Sequence, residues 1–253
     1  MKSSIYSRGA QDTICLVCGY MFGSWAFDKL INNLCEFNLV IIEEVGSRDG
    51  DFNSFANEAD ELYQELTANE LGRVILVGHS MGGFFAQRFA QLYPDKVKGL
   101  VLLATCAPCD FASSHRLSSG GALSELFSLS KDNFVGITIN SLFSKKYLSI
   151  EENYKNVRQE IFSSPPELNV CKNQLEATYF EIESEVSISK SAASNVLIVI
   201  PESDRIIPKE ISLRLLKIYP NAAIDKVEGE HMFFYESPDL FNKSFILWIG
   251  SLS

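Results

Sequence analysis

The sequence predicts an α/β fold: a mostly parallel central sheet flanked by helices, with a helical cap inserted late in the sheet. Three observations predict it. Short β-branched apolar runs alternate with amphipathic stretches, as in parallel strands joined by crossover helices. One long break in that alternation holds only helix-like pieces, and a Gly-x-Ser-x-Gly turn joins a buried run to a helical pattern. Of the 253 residues, 46% are hydrophobic and 21% charged, which suits one sizeable core.

In chain order, strands are expected at 13–18, 38–43, 73–77, 99–104, 195–200 and 222–227. Apolar residues recur at helical spacing in 25–34, 54–68, 82–92, 210–218 and 238–252. Pro94 closes the third of these, and Ser237-Pro238 opens the last as cap and first-turn residue. The break runs from 107 to 194, with helix-like pieces at 122–130, 150–162 and 166–180. The expected organisation is therefore a core of residues 1–106 and 195–253 and a cap of residues 107–194. The cap would lie over the carboxyl edge of the sheet, where open α/β sheets bind ligands.

Charge and cysteine usage narrow the function classes. Lys and Arg number 22 against 32 Asp and Glu, a formal charge of −10. That balance argues against nucleic acid or an anionic membrane as partner, since both are polyanions that reward clustered cations. Residues 1–8 are polar and show no secretory pattern, and the longest apolar runs are strand-sized, so no membrane insertion is expected. Six cysteines include two Cys-x-x-Cys pairs, Cys15/Cys18 and Cys106/Cys109, but the pairs lie much farther apart than the knuckles of a zinc ribbon and end apolar runs. They read as small packing residues of a reduced, cytoplasmic protein, with neither metal nor other cofactor.

The chemistry concentrates in Val74-Ile-Leu-Val-Gly78-His79-Ser80-Met81-Gly82-Gly83, a buried strand turning sharply into a helix. Glycines at 78 and 82 are needed because a Cβ would strike the neighbouring strand and helix. The turn lifts Ser80 clear of the backbone, at a helix N-terminus that favours an oxyanion. A serine hydroxyl needs a positioned base. Of the three histidines, His79 adjoins the serine and should point away from it, for packing or a structural hydrogen bond, and His115 lies among serines in the insertion. His231, in the loop after strand 222–227, is left as base. Asp204, directly after strand 195–200, is the acid expected to orient it, ahead of Asp110, Glu202 and Glu230. Oxyanion donors are expected from the backbone N–H groups of Met81 and Tyr20, the latter in the glycine turn Cys18-Gly19-Tyr20. Met21, Phe22, Trp25, Phe111, Phe143 and Met232 would line an apolar acyl pocket.

With these motifs in hand, the chain resembles the cap-bearing α/β hydrolases, which include carboxylesterases, carbon–carbon bond hydrolases and pimeloyl-carrier-protein methyl ester esterases. The resemblance runs over nearly the whole length. It rests on Gly78-His79-Ser80-Met81-Gly82-Gly83, Tyr93-Pro-Asp-Lys-Val97, Asp204-Arg-Ile-Ile-Pro208 and Gly229-Glu-His231. It implies a serine hydrolase that cleaves a carboxylic ester or thioester through an acyl-enzyme. The partner would be a small-molecule ester or acyl substrate, or an acyl carrier protein met by the basic spot Lys145, Lys146, Lys155 and Arg158. The same scaffold also serves cofactor-free lyases, cyclases, acyltransferases, carbon–carbon hydrolases and catalytically silent ligand-binding receptors. Two departures stand out: little room precedes the strand at Thr13 for the family's opening β-hairpin, and Cys18-Gly19 replaces the usual His-Gly. A cysteine cannot make that histidine's hydrogen bonds, so different support for the Tyr20 loop is expected.

Overall fold

A computed structural model describes residues 2–46, 54–114, 129–163, 167–183 and 195–252. Its strands are β1 (Lys2–Tyr6), β2 (Thr13–Val17), β3 (Asn38–Glu44), β4 (Val74–His79), β5 (Val97–Leu103), β6 (Val196–Pro201) and β7 (Ala223–Val227), paired in the order β1-β3-β2-β4-β5-β6-β7. Every pairing is parallel except β1 on β3. β2, β4 and β6 are buried along their whole length, which is why they read as unbroken apolar runs: helices cover both faces of a parallel sheet. Six strands fall within two residues of their expected bounds. β1 was not expected, and it occupies the short stretch before Thr13. Its sequence, Lys-Ser-Ser-Ile-Tyr, makes an edge strand only partly buried, so it carries almost no hydrophobic signal.

Alternate residues feed two cores. Ile14, Leu16, Ile75, Val77 and Val101 pack with Phe27, Phe234, Phe241 and Phe245 on one face. Cys15, Val17, Leu76, Leu100 and Leu102 pack with Phe55, Phe85 and Phe89 on the other. The first amphipathic stretch breaks into a 3₁₀ turn (Ser24–Phe27) and α1 (Asp28–Ile31). α2 (Phe55–Ala68) starts where the Ser54 hydroxyl accepts the Asn57 N–H at 3.2 Å, and α3 (Met81–Leu92) follows Ser80.

Between β5 and β6 lie α4 (Pro108–Ser114), α5 (Lys131–Leu142), α6 (Lys145–Leu148), α7 (Glu151–Ser163) and α8 (Leu168–Glu183). Residues 122–128 of one expected helix, and His115, fall outside the described residues. α5 was not anticipated: Gly136 and the β-branched Val135, Ile137, Thr138 and Ile139 are weak helix formers. After β6 come α9 (Lys209–Ser212), a 3₁₀ turn (Leu213–Lys217) where one longer helix was expected, α10 (Phe233–Glu236) and α11 (Pro238–Ile249).

α8 is pinned to α3 by an ion pair whose carboxylate is fully buried. The Arg88 Nε–H donates to both Glu181 oxygens at 3.0 and 2.9 Å, its Nη2–H to Oε2 at 2.7 Å, and Glu181 is 0% exposed. Removing the carboxylate leaves the Arg88 guanidinium, only 13% exposed, without its counter-charge. Glu181→Ala should therefore lower the unfolding free energy by about 3 kcal/mol, read as a fall in the urea midpoint, well beyond what an exposed pair gives.

Candidate active site

The strand-to-helix turn bends as its glycines require. Ser80 sits at φ 54°, ψ −121°, in backbone space that non-glycine residues rarely visit. Such strain costs about 1–3 kcal/mol and persists only where surrounding bonds over-determine it. Here the Ser80 N–H donates to the Leu103 carbonyl at 3.0 Å, while the Ser80 carbonyl accepts from the Gly83 N–H at 2.8 Å and the Thr105 hydroxyl at 2.7 Å. A Cβ on Gly78 would come within 2.4 Å of the Gly82 carbonyl oxygen, and one on Gly82 within 2.4 Å of that of Val17. The Ser80 side chain does not cap α3, which leaves its hydroxyl to the cavity.

His231 and Asp204 meet at 2.8 Å, Nδ1 to Oδ2, with both side chains buried. The other Asp204 oxygen accepts the N–H groups of Ile206 and Ile207 at 2.8 and 2.9 Å, an arrangement that suits an acceptor-only carboxylate. Nδ1 of His231 is then the donor, and its Nε2 keeps the lone pair. The rival acids are engaged elsewhere or exposed: Asp110 pairs with Arg214 at 3.0 Å, Glu230 with Arg205 at 2.9 Å, and Glu202 lies in solvent.

His79 takes the packing and structural hydrogen-bonding role expected of it. It lies on the same cavity wall as Ser80, its ring 4.7 Å from that of His231, and it forms a hydrogen bond as well as packing. The His231 carbonyl can only accept, so His79 Nε2–H donates to it at 3.2 Å and the buried Nδ1 is bare. Burial, and next the neighbouring His231, hold the His79 pKa well below the usual histidine range. Gly19 fits only because it lacks a side chain: a Cβ would sit 2.9 Å from His79 Nδ1 and 3.0 Å from Ser80 Cβ.

The Cys18 loop has its own support in place of histidine bonds. The Cys18 thiol donates to the Gly23 carbonyl at 3.0 Å, and the Phe22 and Ala26 N–H groups close turns onto Gly19 and Gly23. Met21 takes φ 65°, its N–H held by Gln174 Oε1 at 3.1 Å, and Tyr20 precedes it on the cavity wall. Met81, as the first residue of α3, has an N–H with no acceptor inside the helix.

The cavity holds about 240 Å³ and brings together Gly19, Tyr20, Met21, Phe22, His79, Ser80 and His231 with Ile206 and the α5 residues Ile137, Thr138, Ser141 and Leu142. Two of the six expected pocket residues line it, Met21 and Phe22. The other four pack elsewhere. Trp25 lies edge-on to Phe22 and Tyr235, Phe143 edge-on to Tyr235, and Met232 is fully buried, because these side chains face the layer beneath the loops. Phe111 packs edge-on to Phe84. The α5 wall was missed with α5 itself. Arg205, also missed, donates to the Asn140 and Phe143 carbonyls and so ties the Asp204 loop to the end of α5.

Of the cysteines, Cys15, Cys18, Cys106 and Cys171 are buried, with burial pushing their thiol pKa values up, whereas Cys35 and Cys109 are exposed rather than packed. Among the described residues no cluster of three His, Cys, Asp or Glu could hold a metal ion, and no helix is long and apolar enough to cross a membrane.

A family model described as the alpha/beta hydrolase fold matches residues 44–238. The uncharacterised protein alr2406 of Nostoc sp. is 32% identical over 38% of this chain and 37% of its own, and the chain spans about a third of the length of the first curated relatives it matches. A pimeloyl-acyl-carrier-protein methyl ester esterase of Wigglesworthia glossinidia brevipalpis is 25% identical over 72% of this chain and 75% of its own. Among solved structures, a thermophilic esterase from Thermogutta terrifontis superposes with TM-score 0.75 at 20% identity over 99% of this chain and 93% of its own, a likeness of fold.

The buried, neutral His79 makes stability depend on pH. The unfolded chain takes up a proton at this position below about pH 6.5 and the native state does not, so the contribution of His79 to stability is level above that pH and falls below it, by at most about 1.4 kcal/mol per unit. His79→Gln keeps a donor for the His231 carbonyl but cannot titrate. Urea unfolding at pH 7 and pH 5 should show the wild type losing more stability than the variant.

Proposed function

The chain belongs to the α/β-hydrolase family, and on that premise we propose that it is a serine hydrolase acting on a carboxylic ester or thioester. The observation that carries this reading is the buried His231–Asp204 pair opening onto the cavity that Ser80 also lines. Ser80 Oγ attacks the substrate carbonyl carbon while His231 Nε2 takes the hydroxyl proton. The carbonyl π electrons move to oxygen, where the Tyr20 and Met81 N–H groups stabilise the charge. Collapse expels the alcohol or thiol, which leaves with the proton from Nε2. Water, deprotonated by the same nitrogen, then cleaves the acyl-enzyme and frees Ser80. Asp204 holds the imidazole in one tautomer throughout.

The acyl group in this reading is apolar and compact. Ile137, Leu142, Ile206, Met21 and Phe22 supply hydrocarbon, Thr138 and Ser141 a few polar atoms, and about 240 Å³ lies below the usual range for drug-sized ligands. Among the described residues of the insertion 107–194, those of α5 act as the cap that closes this space. Two relatives are named as esterases of a carrier-borne methyl ester, which supports an ester substrate and makes an acyl carrier protein the macromolecular candidate. The basic spot contributes less to carrier docking than its sequence suggests, since Lys155 pairs with Glu151 and Arg158 with Asp132.

A series of p-nitrophenyl esters of increasing chain length tests the reading. Hydrolysis should be fastest with short acyl chains, and Ser80→Ala should lower kcat by about 10⁶-fold while melting like the wild type. A folded Ser80→Ala protein with wild-type turnover would exclude Ser80 as nucleophile.

A further inference from the structure

The insertion contributes a helix to the cavity's surroundings that does more than cover it. Along α8, Cys171, Gln174, Thr178 and Glu181 form one buried stripe; three of these are polar, and while the Thr178 hydroxyl donates within the helix to the Gln174 carbonyl, Gln174 and Glu181 bond to other elements. Gln174, 2% exposed, accepts the Met21 N–H at 3.1 Å and donates through Nε2 to the Val45 carbonyl at 2.9 Å. Next to it, Asn173 donates to the Gly46 carbonyl at 2.9 Å. Seven residues along, two helical turns, Glu181 grips Arg88, which itself lies seven residues beyond Met81 on α3.

Both proposed oxyanion donors are thereby referred to one rigid element. The Tyr20 amide belongs to the loop whose next peptide, in a rare positive-φ conformation at Met21, is held by Gln174. The Met81 amide opens the helix that Arg88 fastens to the same α8. A helix bonded through buried side chains near its middle, at Gln174, and near its C-terminal end, at Glu181, resists change in the separation of what it joins. Stabilising an oxyanion requires donors about 2.7–3.1 Å from the oxygen, so that separation matters. Turning the Met21 N–H toward Gln174 also settles the orientation of the peptide that follows Tyr20.

We propose that Gln174 is a positioning residue: through α8 it sets the Tyr20 amide against the Met81 amide and so completes the oxyanion hole. The proposal rests on the serine-hydrolase reading above. A fluorophosphonate probe tests it, because labelling forms an Oγ–P bond at Ser80, expels fluoride, passes the serine proton to His231 and places the phosphonyl oxygen in the oxyanion hole.

Gln174→Leu should slow labelling and the kcat for p-nitrophenyl butyrate by about 10–100-fold, part of the loss seen when a donor is removed outright, with KM little changed. Gln174→Glu keeps both bonds when neutral, its C=O accepting from Met21 and its O–H donating to Val45. Ionised, it has no donor for Val45. Its labelling rate relative to wild type should therefore fall as pH rises, a readout that holds even if Gln174→Leu does not fold. A folded Gln174→Leu protein labelled as fast as wild type, or a Gln174→Glu ratio that stays level with pH, overturns the positioning role alone. A wild-type protein that resists labelling at Ser80 overturns the serine-hydrolase reading and the positioning role with it.

Discussion

Gly82 lies so near the carbonyl oxygens of Val17 and Cys18 that a Cβ would come within 2.4 and 2.5 Å of them. This close approach of α3 to the end of β2 governs what surrounds it. It brings the first turn of α3 beside the Cys18–Gly23 loop, so Ser80, just before that turn, and Tyr20, in that loop, line one cavity although they are far apart in the chain. The sharp bend at Ser80 follows, because the chain must leave β4 and enter α3 with almost no room between Gly78 and Gly82. Bonds from Gly83 and Thr105 to the Ser80 carbonyl, and from Ser80 to Leu103, then hold a conformation that an isolated peptide would abandon.

Much of this was legible in the residues. Buried parallel strands betray themselves as continuous apolar runs, and glycines flanking a serine after such a run leave few alternatives. The pairing of His231 with Asp204 followed from chain order and strand ends. What stayed hidden had weak local signal or depended on tertiary packing. β1 is polar, short and at an edge, and α5 is built from residues that favour strands. Aromatic richness near the site was a poor guide to the cavity wall. Trp25, Phe143 and Met232 gain more by filling the layer beneath the loops than by facing an opening. A structural hydrogen bond was expected of His79, but its partner was invisible, being a backbone carbonyl 152 residues away.

α8 offers a transferable lesson. Its burial stripe runs 171, 174, 178, 181, ordinary helical spacing, but places Gln and Glu where apolar residues belong. A buried side chain with strong donors or acceptors must find partners, and those it finds here lie on the Cys18–Gly23 loop, the end of β3 and α3. Polar residues on the inward stripe of a helix are thus a sequence-level pointer to elements that fasten one part of a fold to another.

α5 forms much of the cavity wall with side chains, yet it is attached to the Asp204 and His231 loops through main-chain carbonyls. Arg205 binds those of Asn140 and Phe143, and the Met232 N–H donates to that of Leu142 at 3.2 Å. Backbone attachment is blind to side-chain identity. Ile137, Thr138, Ser141 and Leu142 can therefore drift in evolution, reshaping what the cavity admits, while the His231–Asp204 pair keeps its footing: the shape of the cavity and the geometry of that pair are separately heritable.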